Sequence, residues 1–306
     1  MKGLMQETPL TLVHLFERAE KYHSDKQIIT ATATGRERTT YGEWAARTRQ
    51  LGGVLDKLGI SKDGRVATFA WNTARHLELY FAPPCTGRVS HTLNIRLFPE
   101  QLTYIANHAE DEVIFIDRSL FGLIAPLLPT FTTVKHLVIM DDGKGDVPKS
   151  VDGFQMHDYE ELLKGTPGVE FNITDENLAS SMCYTSGTTG SPKGALHGHR
   201  VLTGHLPGVV ASHDFLGQSG DVLWTPADWA WIGGLFDVLM AGLALGVPVV
   251  ASRSDKFDPK GMQKLIDQAQ VKNVSLPPTA LRMIKSAGVE ITGLRSVATG
   301  GEPLGA

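Results

Sequence analysis

The chain has 306 residues, of which 42% are hydrophobic and 20% charged, so it can bury a full core in one large or two ordinary domains. Its formal net charge is only -4, and no block of like charge stands out, which argues against a nucleic acid or an acidic polymer as partner. The longest apolar window, 232–250, is interrupted by Asp237, glycines and Pro248, so a transmembrane segment is not predicted.

The two cysteines, Cys85 and Cys183, lie far apart in apolar segments, without the spacing of a metal site or a redox pair. This usage favours a reducing, cytoplasmic compartment. Residues 1–23 carry scattered charges and so lack the unbroken apolar core of a signal peptide. We therefore predict a soluble cytoplasmic protein, and the sequence leaves its oligomeric state open.

Apolar periodicity predicts alternating strands and helices along the chain. Helices are expected over 10–22, 41–58, 74–81, 99–110, 120–128, 159–163, 201–212, 232–245, 259–270 and 279–287. Strands are expected over 26–31, 65–70, 88–93, 112–116, 134–140, 179–184, 221–225, 247–251, 273–276 and 296–299. Such alternation is typical of βαβ units, so the predicted fold class is α/β, with a mainly parallel sheet covered by helices on both faces.

Residues 141–174 interrupt this alternation with stretches rich in Gly, Pro and charge, and we interpret them as a surface connection. The connection divides the chain into a first α/β subdomain, 1–175, and a second, 176–306, which holds the motifs described next. The last predicted strand leads into the glycine turn 300–303, and the chain stops three residues later. We therefore expect the domain 1–306 to be incomplete.

The stretch 184–194, YTSGTTGSPKG, consists of small, hydroxylated or flexible residues closed by a lysine. Backbone N–H groups and hydroxyls of such a loop can converge on one anion, because glycine has no Cβ to block the approach. The loop leaves the carboxyl end of a predicted strand, where ligands of open α/β sheets usually bind. A solvated turn is the plain alternative, but eleven residues in this order favour a phosphate site.

This stretch differs from the common G-x-x-x-x-G-K-[ST] nucleotide loop. Gly194, not Ser or Thr, follows Lys193, so the hydroxyl that binds magnesium in that loop is missing. Pro192 precedes the lysine and removes a backbone donor. The contacts to phosphate are therefore expected from residues 185–190 and from the Lys193 ammonium.

TSGTTGSPKG resembles the phosphate loop of the adenylate-forming superfamily, which includes acyl-CoA synthetases, luciferases and the adenylation domains of peptide synthetases. The resemblance covers essentially the whole chain and implies the first part of the large N-terminal domain of such an enzyme. The family's later magnesium-binding and ribose-binding segments, and its C-terminal domain with the adenylation lysine, have no counterpart in these residues. The resemblance implies ATP, Mg²⁺, CoA and a small-molecule carboxylic acid as ligands.

The same resemblance implies a cofactor-binding role for ten residues and identifies no catalytic residue. They are Thr185, Ser186, Gly187, Thr188, Thr189, Gly190, Lys193, Gly301, Glu302 and Pro303. The last three match a turn that borders the adenine of ATP in the family. A turn that merely starts a helix, with proline near the first helical position, is the alternative there.

Three tryptophans stand within eight positions in 224–234, WTPADWAWIGG. Such a cluster is more often core than ligand site, but two adjacent glycines after Trp231 leave space beside an aromatic wall. The segment resembles the stretch that lines the acyl pocket of short- and medium-chain acyl-CoA synthetases, which makes Trp231 and Gly233 candidate substrate-binding residues. Core packing remains the equal alternative.

His197 and His199 form an H-x-H pair just after the loop, but no Cys, His or acidic residue nearby completes a metal site. No metal site is predicted, and His199 is expected to open the following helix. Neither a Ser/His/Asp triad nor a paired-carboxylate site can be defended from the sequence.

We interpret the chain as belonging to an acyl-CoA synthetase, which activates a carboxylic acid through an acyl-adenylate and transfers it to CoA, releasing pyrophosphate and AMP. Residues 91–117 resemble medium- and long-chain fatty acyl-CoA synthetases, whereas 221–250 are more similar to the acetyl and medium-chain branch. The acyl chain, from short to long, is therefore left open. Two alternatives remain: a non-catalytic nucleotide-binding fragment, and an adenylation domain that loads a carrier protein.

Overall fold

A computed structural model describes residues 1, 3–32, 35–185, 191–253 and 256–305. In these ranges the strands are β1 (Gln27–Ala31), β2 (Arg36–Thr40), β3 (Arg65–Phe69), β4 (Val89–Thr92), β5 (Asp111–Asp117), β6 (His136–Met140), β7 (Gln155–Asp158), β8 (Ala179–Thr185), β9 (Lys193–Gly198), β10 (Leu223–Trp224), β11 (Val249–Ser252), β12 (Asn273–Ser275) and β13 (Ser296–Ala298).

The strands form two sheets. Seven of them are ordered β7-β6-β5-β3-β4-β8-β9, and the other six are ordered β13-β12-β10-β11-β1-β2. Every neighbouring pair is parallel except β8–β9 and β1–β2, each at one edge of its sheet. The predicted mainly parallel α/β class is confirmed.

The helices of the described ranges connect these strands. They are α1 (Leu12–Tyr22), α2 (Tyr41–Lys57), α3 (Ala74–Cys85), α4 (Pro99–His108), α5 (Phe121–Ile124), α6 (Tyr159–Leu163), α7 (Arg200–Ser212), α8 (Ile232–Gly234), α9 (Met240–Leu245), α10 (Pro259–Ala269) and α11 (Pro278–Ser286). Short 3₁₀ turns flank α5, and a π-helical turn, Leu235–Leu239, joins α8 to α9.

Helices α2 and α3 lie between the two sheets, because each buries residues in two separate cores. Trp44 and Phe81, with ring centroids 5.1 Å apart, belong to the core on the six-stranded sheet. Leu51 and Leu79 belong to the core on the seven-stranded sheet. The outer faces are covered by α4 and α5 on the larger sheet and by α10 and α11 on the smaller. Helical and sheet layers therefore alternate, as expected.

Three strands escaped the sequence prediction: β2, β7 and β9. Each lies at the edge of its sheet, and none of them has more than partly buried residues. Edge strands carry polar residues that discourage pairing with other molecules. They therefore lack the continuous run of apolar residues that predicts the buried strands.

The two sheets do not follow the predicted subdomains 1–175 and 176–306. Strand β1 pairs in parallel with β11, and β8 pairs in parallel with β4, so each sheet combines strands from both sides of residue 175. The division of the chain at that point stays a prediction.

Candidate active site

Three neighbouring parallel strands, β10, β12 and β13, end at the same edge of the six-stranded sheet. The residues that follow them line a cavity of about 770 Å³, which we call the strand-end cavity. Its described lining includes 225–228 after β10, 275–277 at and after β12, and 300–301 after β13. This is the edge where open α/β sheets usually bind ligands.

The tryptophan cluster divides between core and cavity. Trp224 is 3% exposed and Trp229 is fully buried, whereas Trp231 is 43% exposed and lines the strand-end cavity together with Gly233. Both proposed substrate-binding residues therefore lie at the cavity. Trp224 and Trp229 thus belong to the core, and the substrate-binding role of Trp231 and Gly233 stays a prediction.

The turn after β10, which carries Trp231 and forms one wall of the strand-end cavity, is hydrogen-bonded to residues packed on the seven-stranded sheet. Asn72, which follows β3, donates from Nδ2 to the Ala227 carbonyl at 2.9 Å, and its Oδ1 accepts from the Trp229 N–H at 3.1 Å. The Tyr80 hydroxyl of α3 donates to the Trp229 carbonyl at 2.5 Å. These bonds satisfy backbone groups of a buried turn and hold the wall at a set distance from the seven-stranded sheet.

An ion pair lies in the cavity lining. Arg96, from the segment after β4, donates from Nη1 to Asp228 Oδ2 at 2.5 Å. The other carboxylate oxygen accepts from the Ala230 N–H at 2.9 Å. Burial raises the pKa of the Asp228 carboxyl, while the Ala230 N–H and the Arg96 charge act against that rise.

The glycine turn after β13 is open toward the cavity. A Cβ added at Gly300 or Gly301 would meet no described atom within 4 Å, and both residues line the cavity. Gly301 has φ +97°, a conformation that residues with a Cβ rarely adopt. A flat ring can therefore lie directly against this backbone.

The other two residues of the predicted adenine-binding turn are placed differently. The Glu302 carboxylate accepts from the Thr279 N–H at 2.9 Å and from Arg282 Nη2 at 3.0 Å. Glu302 and Pro303 do not belong to the described lining of the cavity. Of the three residues predicted to border adenine, Gly301 alone belongs to the described lining of the cavity, and Glu302 ties the turn to α11.

The central part of the predicted phosphate loop, Ser186, Gly187, Thr188, Thr189 and Gly190, lies outside the described residues. Its two ends are described: Thr185 and Lys193 are register partners in the antiparallel pair β8–β9, and both are exposed. Neither is in the described lining of the strand-end cavity.

The histidines near the loop have structural partners. His199 precedes α7 directly, as expected, and its Nδ1 accepts from the Leu12 N–H at 3.2 Å. Burial lowers the pKa of His199 to about 4. His197 Nε2 lies 3.8 Å from the Sγ of Cys183. In the described ranges no group of three or more His, Cys, Asp or Glu could hold a metal ion, and no helix is long and apolar enough to cross a membrane.

Sequence reasoning missed Asn72 and Arg96. Each comes just after the carboxyl end of a strand, β3 or β4. Their positions could have marked them as site residues, because side chains that follow the carboxyl ends of parallel strands meet at the same edge of a sheet. Neither residue belongs to a motif, so no local pattern predicts its role.

Comparison with known proteins gives a family and several relatives. The family model described as AMP-binding enzyme matches residues 15–306. The 3-methylmercaptopropionyl-CoA ligase of Ruegeria lacuscaerulensis is 44% identical over 225 residues, 73% of this chain and 40% of that protein. The long-chain-fatty-acid–CoA ligase of Thermus thermophilus is 34% identical over 307 residues, 97% of this chain and 54% of that protein.

A solved structure of an anthranilate CoA ligase, AuaEII, in complex with anthranoyl-AMP has the same fold. Its TM-score is 0.84 at 20% identity, and the match covers 98% of this chain and 57% of that one. The chain thus spans about half the length, or less, of the relatives it matches.

Proposed function

This chain belongs to the AMP-binding enzyme family and is a member of the adenylate-forming superfamily, and from that premise we propose that it is part of a carboxylic acid–CoA ligase. The observation that supports this most is the strand-end cavity itself. It lies beyond the carboxyl ends of β10, β12 and β13, and its described lining is largely apolar with a few polar groups, among them the Arg96–Asp228 ion pair. A cavity of this kind is the usual site for a small organic ligand with an apolar body and a polar end, such as a carboxylic acid.

ATP fits the described residues in part. The open backbone of Gly300 and Gly301 can receive the flat adenine ring. Thr185 and Lys193 stand on opposite sides of the loop proposed to hold the β- and γ-phosphates. Among the described residues there is no group of three or more His, Cys, Asp or Glu that could hold Mg²⁺. Mg²⁺, CoA and the cytoplasmic location stay predictions.

The proposed reaction has two displacements. A carboxylate oxygen of the acid attacks the α-phosphorus of ATP, and the bond from that phosphorus to the bridging oxygen of pyrophosphate breaks. The CoA thiolate then attacks the acyl carbonyl carbon, and AMP leaves with the electrons of the former acyl–oxygen bond. Lys193 would neutralise charge on the departing pyrophosphate, an electrostatic contribution to the transition state.

Acid-dependent exchange between ATP and pyrophosphate tests the first displacement. We expect exchange with a carboxylic acid and a roughly 100-fold loss in Lys193→Ala, as for removal of one charge-stabilising donor. The matched control is Lys164→Ala, whose ammonium is exposed and, among the described residues, forms an ion pair with Glu161 alone, at 3.8 Å. Unchanged exchange in Lys193→Ala would overturn the role of this lysine.

Mass spectrometry of the reaction product distinguishes a CoA ligase, which forms acyl-CoA, from an adenylation domain that loads the acyl group onto a carrier protein.

Nucleotide binding without turnover is the second candidate. It needs only the open backbone at Gly300 and Gly301, which can receive a flat ring without any reacting group. Calorimetric titration with ATP distinguishes the cases, since binding heat without acyl-adenylate formation for any acid supports this reading.

A further inference from the structure

The turn after β10 has its shape fixed by hydrogen bonds of its own. Thr225 Oγ1 donates to the Ser275 carbonyl at 2.9 Å and so fixes the start of the turn to its own sheet. Further along, the Asp228 side chain accepts from the Ala230 N–H at 2.9 Å. The Asp228 carbonyl accepts from the Trp231 N–H at 3.1 Å. Because these bonds set the shape of the turn, the Trp231 backbone follows any displacement of it.

Three buried side chains from the layer of the seven-stranded sheet hold the far part of this turn. Asn72 makes the two bonds described above, one of them to the Trp229 N–H. The Tyr80 hydroxyl donates to the Trp229 carbonyl at 2.5 Å, and the Thr92 hydroxyl, at the end of β4, donates to the Ala230 carbonyl at 3.1 Å. Burial raises the pKa of Tyr80 well above its usual value, so its hydroxyl keeps the proton that it donates. We call Asn72, Tyr80 and Thr92 the clamp.

Another part of the cavity lining belongs to the six-stranded sheet. It includes Leu276 and Pro277, which follow β12, and Met283 of α11. The Leu276 N–H donates to the Ala298 carbonyl of β13 at 2.9 Å, so this part is fixed within its own sheet. The clamp therefore determines where Trp231 lies relative to it.

The clamp makes displacement of the Trp231 wall unfavourable. Its bonds satisfy backbone groups of Ala227, Trp229 and Ala230 in a buried turn. A shift of the turn to make room for a larger ligand would break these bonds, and buried backbone groups without partners are costly. Ligands that require such a shift should therefore bind more weakly than ligands that fit the wall where it stands.

We propose that Asn72, Tyr80 and Thr92 are positioning residues that set which carboxylic acids the strand-end cavity accepts: they hold Trp231 in place from the opposite sheet and so disfavour acids with long apolar chains. This inference rests on the proposed function of the cavity. None of the three residues belongs to the described lining of the cavity. They act through Trp231 and not by contact with the acid.

Thr92→Val removes the hydroxyl and keeps the shape of the side chain. We expect the Kd for propanoate divided by the Kd for octanoate to rise roughly 3- to 10-fold, as for loss of one hydrogen bond. This is the direction expected for Trp231→Ala. Asn72→Ala and Tyr80→Phe should shift the ratio in the same direction, whereas Thr92→Ser, which keeps the hydroxyl, should leave it at the wild-type value. Calorimetric titration with each acid measures both constants without requiring turnover.

A double variant tests whether the clamp acts through the indole. Thr92→Val combined with Trp231→Ala should shift the ratio no further than Trp231→Ala alone, because the wall that the clamp positions is then absent. A full additional shift in the double variant overturns the proposal.

Thr48→Val is the matched control. Thr48 is also buried, and its hydroxyl donates to the Trp44 carbonyl at 2.7 Å within α2, so the substitution should lower the melting temperature and leave the ratio unchanged. If Thr92→Val behaves in the same way, the clamp has a purely structural role and this inference alone fails. If the wild-type chain binds neither acid, the proposed function of the cavity fails with it.

Discussion

The side chain of Asn72 bridges Ala227 and Trp229, and in doing so joins the turn after β3 to the turn after β10. These turns belong to different sheets. The wall of the strand-end cavity is therefore held by a residue of the opposite sheet, and the width of the cavity depends on how the two sheets pack. The Arg96–Asp228 ion pair makes a second link of the same kind.

Asn72→Ala should destabilise the protein by about 2 kcal/mol, because it leaves the buried Trp229 N–H without its partner. Urea unfolding followed by tryptophan fluorescence measures the change. The matched control is Asn177→Ala, since the exposed Asn177 side chain bonds to nearby Asp175 and to no other side chain in the described ranges. It should stay within about 0.5 kcal/mol of wild type. Equal effects of the two substitutions would show that the Asn72 bridge contributes nothing specific.

Substitutions of Trp229 and Trp231 should have different effects: the first should lower the stability of the fold, and the second should change the selectivity for the acid. Trp229→Ala empties a fully buried site and should cost about 3–5 kcal/mol of unfolding free energy. Trp231→Ala removes a partly exposed cavity wall and should cost less than about 1.5 kcal/mol of unfolding free energy. It should also raise the kcat/KM for octanoate relative to propanoate by roughly 10-fold or more. An unchanged ratio in Trp231→Ala would remove this residue from the acyl site.

Gly301→Ala should weaken ATP binding by placing a methyl group where the ring is proposed to lie. Calorimetry should show a Kd for ATP raised at least ~10-fold. Gly305→Ala is the matched control, because Gly305 also has positive φ, +81°, and open space at its Cβ but does not line the described cavity. Similar losses in both variants would assign the effect to backbone strain.

Glu78 gives the folded protein a pH dependence away from the cavity. Its carboxylate is buried and accepts from Arg47 Nε at 2.7 Å and from the Tyr159 hydroxyl. Burial raises its pKa from 4.5 to about 7, against the effect of the Arg47 charge. The folded state therefore binds this proton more tightly than the unfolded state, and the Glu78 contribution to stability is lost as pH rises from about 4.5 to about 7.

Glu78→Gln removes that titration. The unfolding free energy of the variant relative to wild type should rise between pH 4.5 and pH 7, by up to about 3 kcal/mol for a shift of this size. Urea titrations at half-unit pH intervals measure the difference. Glu161→Gln, at an exposed carboxylate, is the control and should show no such trend. If the difference in unfolding free energy between Glu78→Gln and wild type does not change with pH, the Arg47 charge fully compensates the buried Glu78 carboxylate.

Local patterns predicted most of the fold. The buried strands and the longer helices were found within a few residues, since each has an apolar period of its own. The helix expected over 120–128 is instead a short helix with 3₁₀ turns, because Pro126 and Pro129 interrupt it. The helix expected over 232–245 contains a π-helical turn, and the apolar spacing of these residues carries no local signal for it.

The phosphate-loop motif, the α/β class and the placement of Trp231 and Gly301 after strands are properties of short stretches, and the sequence by itself determined them. Tertiary structure alone decided that β1 pairs with β11 across more than two hundred residues and that Asn72 holds the cavity wall. Pairings of this kind depend on which faces are buried together in the folded chain, and that choice minimises exposed apolar surface and unpaired backbone groups over the whole molecule. No window of neighbouring residues contains that information.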